Sequence, residues 1–509
     1  MTTDRRTIFT TLGMHLTVLG TLLLAGASQA AAATEHAALR YEDRNICLDC
    51  HWDQAVAVHG SVHYQWQGAT PGVVNGAPMQ GKAAGAINAY CINILGNWTG
   101  CSACHVGKGA PPEETPTEAQ LENIDCLVCH QRGYKRIKVN GTMVPDTAHM
   151  TMTLDEAVQT VHRPDRATCL QCHAKGGGGD NFKRGDLALA HTATTDRGFD
   201  VHMATTGADL DCLSCHVTQD HRIAGRGSDL HPTDLAQPVA CANCHGTSGP
   251  HGRTSAIGKH TARVACQTCH IRAYARNAAD TPATEATEID RDWTRPEWNA
   301  TLGRWEPAIT LANDSTPVYA FWNGMSTAYN LGETALLNPR TGAYSISRPR
   351  GGINNRASQL FPFKYKNAFQ PMITEGRKLI PLNTAVYFKT GNTADAVVSG
   401  LVDNIGLTGS EPYEFVVTEE FQALNHEVAP AGEALTCTQC HGTSQQMSLR
   451  ALGYRLKGPA STVCTQCHRP KDDPLSFTDL HKKHVTDKRY DCSLCHKFSR
   501  PERGLRTSR

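Results

Sequence analysis

An apolar run, Leu16 to Ala27, lies near the start of the chain, behind Arg5 and Arg6 and ahead of Ser28-Gln29-Ala30. A basic flank, a short hydrophobic stretch and a small-residue site together predict a cleaved export signal over residues 1–32. About a dozen apolar residues are too few to cross a bilayer as a helix, and no later stretch is apolar enough to anchor the chain. The mature protein is expected in the periplasm or beyond it, with no integral membrane segment. Further along, Leu154 to His162, Glu411 to His426 and Phe477 to Val485 are rich in helix formers with few breakers, and predict helices. Val318 to Trp322 and Thr384 to Lys389 carry β-branched and aromatic residues and predict strands. Gly176 to Gly179 must form an irregular loop. Trp293, Trp298, Trp305 and Trp322 crowd one region, where packing against each other or against a flat cofactor is the plain expectation and lining a channel the other.

Ten copies of Cys-x-x-Cys-His run through these segments and use twenty of the twenty-one cysteines. The first four join Cys47, Cys50 and His51; Cys101, Cys104 and His105; Cys126, Cys129 and His130; and Cys169, Cys172 and His173. Cys212, Cys215 and His216 follow, then Cys241, Cys244 and His245, then Cys266, Cys269 and His270. The last three are Cys437, Cys440 and His441; Cys464, Cys467 and His468; and Cys492, Cys495 and His496. This motif attaches c-type haem: two thiols bond the porphyrin and the adjacent histidine is placed to ligate iron. Structural zinc needs ligands in fours, and a thioredoxin-like redox pair occurs once rather than ten times. Ten covalent haems c are therefore expected.

Successive motifs start 54, 25, 43, 43, 29, 25, 171, 27 and 28 residues apart. The spacing predicts a heptahaem block over 33–270, a haem-free region over 271–430 and a trihaem block over 431–509. It is too irregular for a tandem repeat. The expected fold is mainly α with many loops, wrapped around a haem array, with a haem-free mixed insert. Aromatic residues make up only 6% and glycines number 44, as suits a chain whose apolar filling comes from porphyrins. A formal charge of +1 gives no nucleic-acid footprint.

A low-spin electron-transfer haem needs a second strong ligand besides the motif histidine. Outside the signal, fourteen other histidines are available: His36, His59, His63, His149, His162, His191, His202, His221, His231, His251, His260, His426, His481 and His484. After residue 270 the non-motif histidines are His426, His481 and His484, which matches three C-terminal haems. His59 and His63, like His481 and His484, should serve different irons. Two residues fit no bis-histidine wire: Cys91, the single cysteine outside a motif, and Lys183, in a glycine-rich stretch. An amine ligates iron only when deprotonated, so a lysine ligand is rare.

The chain resembles the octahaem tetrathionate reductase family of multihaem cytochromes c. The segments that carry this are His59-Gly-Ser-Val-His63, Asn88-Ala-Tyr-Cys91, Cys101-Ser-Ala-Cys-His-Val-Gly107, Ile124-Asp-Cys-Leu-Val-Cys-His130 and Lys183-Arg-Gly-Asp186. Phe321-Trp-Asn-Gly324, Phe361-Pro-Phe-Lys-Tyr365 and Cys495 to Gly504 extend it over most of the mature chain. The resemblance implies one active-site haem, on Cys101 and Cys104, with Lys183 as its unusual ligand and Cys91 nearby. It implies reduction of tetrathionate or of small sulfur or nitrogen oxyanions, with electrons from quinol-linked proteins or other cytochromes. Ten motifs depart from the family's eight. The other reading is an electron conduit, a soluble shuttle or a polymeric extracellular cytochrome, with no substrate chemistry.

Overall fold

The computed structural model describes residues 35–75, 79–90, 98–226, 232–246, 250–252, 255–284, 286–441, 446–456, 477–490 and 494–497. The export segment, Cys91, His231, the motif of Cys464, Cys467 and His468, and Cys492 lie outside the described residues. Only the backbone of His496 is described.

The expectation of a mainly α fold is corrected by a large mixed sheet: helix accounts for 25% and strand for 23%. Its eight strands are β1 (Thr287–Asn299), β2 (Arg304–Ala312), β3 (Val318–Trp322), β4 (Ser326–Ala328), β5 (Tyr344–Pro349), β6 (Gln359–Ile373), β7 (Lys378–Leu379) and β8 (Tyr413–Ala423). They run in the order β4-β5-β8-β6-β1-β2, with β3 and β7 also paired to β6. The β5–β8 and β6–β1 pairs are parallel, and the other pairs are antiparallel.

Two of the expected elements exchange identity. Glu411 to His426 is not helical, because Tyr413–Ala423 pairs with Ile373 back to Phe363 along an unbroken antiparallel register. Val416, Val417 and Thr418 fit a pleated surface, and tertiary pairing overrides the glutamates' helix preference. Thr384 to Lys389 is helical (Thr384–Thr390): Asn383 Oδ1 accepts from the N–H groups of Ala385 and Val386, and Gly391 closes the far end at φ 66°. Those two caps were present in the sequence, but β-branching dominated the reading. The helix Leu154–Gln159 forms as expected, started by a Thr153–Glu156 capping box, and Val318–Trp322 is a strand. Phe477–His481 is a helix that continues as a wider π turn through Asp487.

Conventional core concentrates around the sheet. Trp293, Ile346, Met372, Ile380, Tyr387 and Leu401 pack together on one side of it. Trp322, Phe361, Phe363 and Phe421 pack with Ala265 on the other, beside the Cys266 motif. Trp298 packs edge-on against Trp305, as the plain expectation had it, whereas Trp293 packs edge-on against Tyr387 and Trp322 against Phe361. The motif-bearing part holds only small apolar clusters between its short helices. Charge is buried inside the sheet as well. Glu288 on β1 accepts from Arg291 Nε at 2.9 Å and Nη2 at 2.6 Å, and also pairs with Lys366 of β6; all three side chains are buried.

Candidate haem array and its exceptional site

The motif residues sit on short helices, one or two turns at Leu127–His130, Arg166–His173, Cys212–Cys215, Ala242–His245, Cys266–His270 and Cys437–His441, and a longer one kinked at His51 over Leu48–His59. Short helices place the two thiols and the imidazole on one face, and loops then carry the chain to the next motif. A continuous cavity of about 3760 Å³ threads the first seven motifs, lined by their cysteines and largely by apolar surface. A set of flat apolar porphyrins would fill such a space.

Ring spacing tests that fit. An imidazole nitrogen sits about 2 Å from a bound metal and its ring centre roughly 1 Å further, so rings on opposite faces of one iron stand about 6 Å apart. The motif histidines meet non-motif histidines at that spacing: His51 with His36 at 6.2 Å, His130 with His221 at 6.2 Å, and His173 with His63 at 6.1 Å. His216 meets His426 at 6.4 Å, His245 meets His202 at 6.0 Å, and His270 meets His251 at 6.3 Å. His441 has two such neighbours, His260 at 6.1 Å and His481 at 6.3 Å. His426, expected on a C-terminal haem, thus faces the Cys212 motif instead, because the end of β8 returns to the N-terminal block. His63 is brought to a motif histidine, whereas His59 is buried against Tyr64 and Gln65. His484 Nδ1 donates to Leu480 O of its own helical segment, 2.9 Å away.

His105 breaks the pattern. Its Nε2–H donates to Tyr64 O at 2.6 Å, and its Nδ1 accepts from the Gly107 N–H at 3.1 Å. Tyr64, Trp66 and Trp98 enclose the ring, and burial draws its pKa down to about 4, so the imidazole is neutral. Both His105 ring nitrogens are thus engaged by the protein in this arrangement. Gly107 matters here, because a Cβ at that residue would stand 2.8 Å from His105 Nδ1.

Lys183 lines the same cavity as Cys101 and Cys104. The Cys104 thiol is drawn down to about 6, first by its hydrogen bond with Cys172 and then by the charges of Lys82, Arg136 and Lys183. The Lys183 carbonyl is held by the Tyr90 hydroxyl at 2.8 Å and by Lys364 Nζ at 2.8 Å. Lys364 is buried and also donates to Thr287 Oγ1 at 2.6 Å, which moors the lysine loop to the sheet. Burial pushes the Lys364 pKa well down and the Tyr90 pKa well up. Lys183 Nζ lies 5.0 Å from the centre of the Tyr90 ring. Sequence reasoning assigned no role to Tyr90, Lys364, Lys366 or Glu288. The only signal was Phe363-Lys-Tyr-Lys366, whose alternation reads as lysines facing water, whereas both lysines face the motif block.

Thiols of different motifs also meet. Hydrogen-bond contacts join Cys47 to Cys126, Cys104 to Cys172, Cys169 to Cys212 and Cys241 to Cys266. Weaker electrostatic proximity links Cys129 to Cys169, Cys215 to Cys244, and Cys269 to Cys440. Since cysteines mark porphyrin edges, these contacts trace one path through the described motifs, with the Cys101 motif as a branch beside the Cys169 motif.

Known proteins agree with this geometry. The family described as "Cytochrome c bacterial" matches residues 277–444, and "Cytochrome c554 and c-prime" matches residues 168–246. Both matches support the reading of the chain as a multihaem c-type cytochrome, with covalently bound haem c and a capacity for electron transfer. Among solved structures it is similar to an octaheme cytochrome c from Shewanella oneidensis, with a TM-score of 0.67 and 27% identity, over 84% of this chain and 95% of that one. It is also 30% identical to an uncharacterized protein of Archaeoglobus fulgidus over 230 residues, covering 36% of this chain and 75% of that protein. Among the described residues no helix is long and apolar enough to cross a membrane.

Proposed function

We propose that this protein is an exported, periplasmic decahaem oxidoreductase that reduces tetrathionate or a small nitrogen or sulfur oxyanion at one lysine-associated haem. The carrying observation is that His105 has both ring nitrogens occupied while Lys183 lies within electrostatic reach of Cys104 in the same cavity. On this reading the paired histidines are axial ligands of storage and delivery haems, with either His260 or His481 serving the Cys437 haem. The haem on Cys101 and Cys104 would supply electrons and an exchangeable iron site. Lys183 would be its protein ligand, held in place through its own carbonyl by Tyr90 and Lys364. Lys82, packed 4.8 Å from the centre of the Trp66 ring, adds a positive charge suited to an anionic substrate. Cys91 would flank the site as a thiolate able to engage a sulfane sulfur. Tetrathionate reduction takes two electrons, breaks the central sulfur–sulfur bond and releases two thiosulfates, and an array of neighbouring haems delivers both without a stranded radical.

Two measurements test this. The purified protein should carry ten covalent haems, adding roughly 6 kDa to the polypeptide in a denatured mass spectrum. A mass for eight would mean that two motifs stay empty. An EPR spectrum should resolve one iron unlike the bis-histidine set, and reduced protein should be reoxidised by tetrathionate or nitrite. Uniform bis-histidine irons with no reoxidation would instead make the protein an electron conduit.

A further inference from the structure

We propose that Asp186 tunes the haem carried by Cys212 and Cys215 to a low reduction potential by accepting the Nδ1–H of His426. This rests on the reading that His216 and His426 are the axial ligands of that haem. His426 Nδ1 lies 3.2 Å from Asp186 Oδ2, and the same oxygen accepts from the backbone N–H groups of Asn425 at 2.9 Å and His426 at 3.3 Å. The Asp186 side chain is fully buried, and Arg184 Nη2 approaches its other oxygen at 3.2 Å. Its two oxygens thus face the Arg184 guanidinium, the His426 imidazole and two backbone N–H groups, surroundings that suit a buried anion.

A carboxylate at Nδ1 draws the ring proton toward itself, gives the imidazole anionic character and strengthens its donation to iron. Stronger donation favours the ferric state and lowers the potential. The buried negative charge acts in the same direction, because little water screens it from the iron. Three other imidazoles in the paired set are served differently. His130 donates to His162 O at 3.0 Å, His216 to Ala224 O at 2.8 Å and His270 to Ala429 O at 3.2 Å, all neutral carbonyls.

Asp186 also sits three residues beyond Lys183. Gly185 between them adopts φ +76°, and a Cβ there would meet Tyr274, Lys364 and Thr287 within about 3.1 Å. That turn lets one loop present Lys183 to the Cys101 site and Asp186 to the Cys212 site. The tuned haem lies mid-path, since Cys212 touches Cys169 and Cys215 neighbours Cys244. A lowered potential there favours passing an electron on to its neighbours, one of which adjoins the lysine site through Cys172 and Cys104.

Spectroelectrochemical titration of the fully haem-loaded protein tests the proposal. Asp186→Asn keeps an acceptor and removes the charge, so one low-spin component should move to higher potential while the others hold. Arg184→Gln, at a side chain 20% exposed, should move the same component lower and serves if the first variant fails to load haem. His426→Ala separates the underlying reading from the tuning: it should turn one low-spin iron high-spin. An unchanged spin state in His426→Ala overturns the ligand assignment. A high-spin signal there, with every potential unmoved in Asp186→Asn and Arg184→Gln, overturns the tuning alone.

Discussion

Lys183→Ala is expected to abolish turnover with tetrathionate and nitrite while leaving haem loading and the bis-histidine spectrum intact. Substitutions one layer outside a metal's ligands cost about 10- to 100-fold, and removing the ligand itself should reach at least the upper end. The side chain packs against the backbone turn at Gly176 and Gly177, so its loss opens space at the edge of a large cavity rather than in the sheet core. The loop itself stays moored, because Tyr90 and Lys364 hold the carbonyl of residue 183 and not its side chain. Stopped-flow reoxidation of dithionite-reduced protein gives the rate, and EPR shows whether only the odd iron has changed. Lys183→Ala with wild-type turnover and an unaltered spectrum would remove the lysine from the site.

Glu288→Gln should be among the most destabilising single changes in the sheet. Glu288 bridges Arg291 and Lys366 where all three are buried, and the amide would leave two cations facing a neutral partner. Removing one member of a buried ionic group costs about 3–5 kcal/mol, against a typical total stability of about 5–15 kcal/mol. Burial pushes the Glu288 carboxyl up, but Arg291 and Lys366 outweigh it and bring it down to about 2 from an ordinary value of 4.5. A depressed carboxylate pKa means the stabilisation is complete above about 4.5 and is lost as pH falls toward 2. Wild type and variant should therefore differ fully at neutral pH and converge through that acid window, as urea unfolding followed by far-UV circular dichroism would report. A difference below about 1 kcal/mol at pH 7 would mean the three charges are compensated elsewhere.

Covalent attachment made the haem sites legible, because Cys-x-x-Cys-His is local in sequence and fixes thiols and imidazole within one helical turn. The helix at Leu154 was legible for the same reason, since its Thr153–Glu156 box acts across three residues. Strand β8 was not, because Glu411 to His426 has helix-forming composition and becomes a strand only when the whole of β6 lies beside it. The burial of Lys364 and Lys366 was not legible for a related reason: alternation tells which face a residue takes, but not that both faces are covered. Ligand pairing was out of reach as well. Counting histidines assigned His426 to a C-terminal haem, whereas the return of β8 sets it against His216. The sequence by itself determined the chemistry that each short segment carries: where haem is bonded, which histidine adjoins it, and that Lys183 and Cys91 stand apart. Only the tertiary structure decided which distant imidazoles share a site, that His105 is tied to Tyr64 O, and that a sheet holds the lysine loop. Local motifs are fixed by covalent spacing, whereas those contacts exist only once strands and loops far apart in the chain have packed.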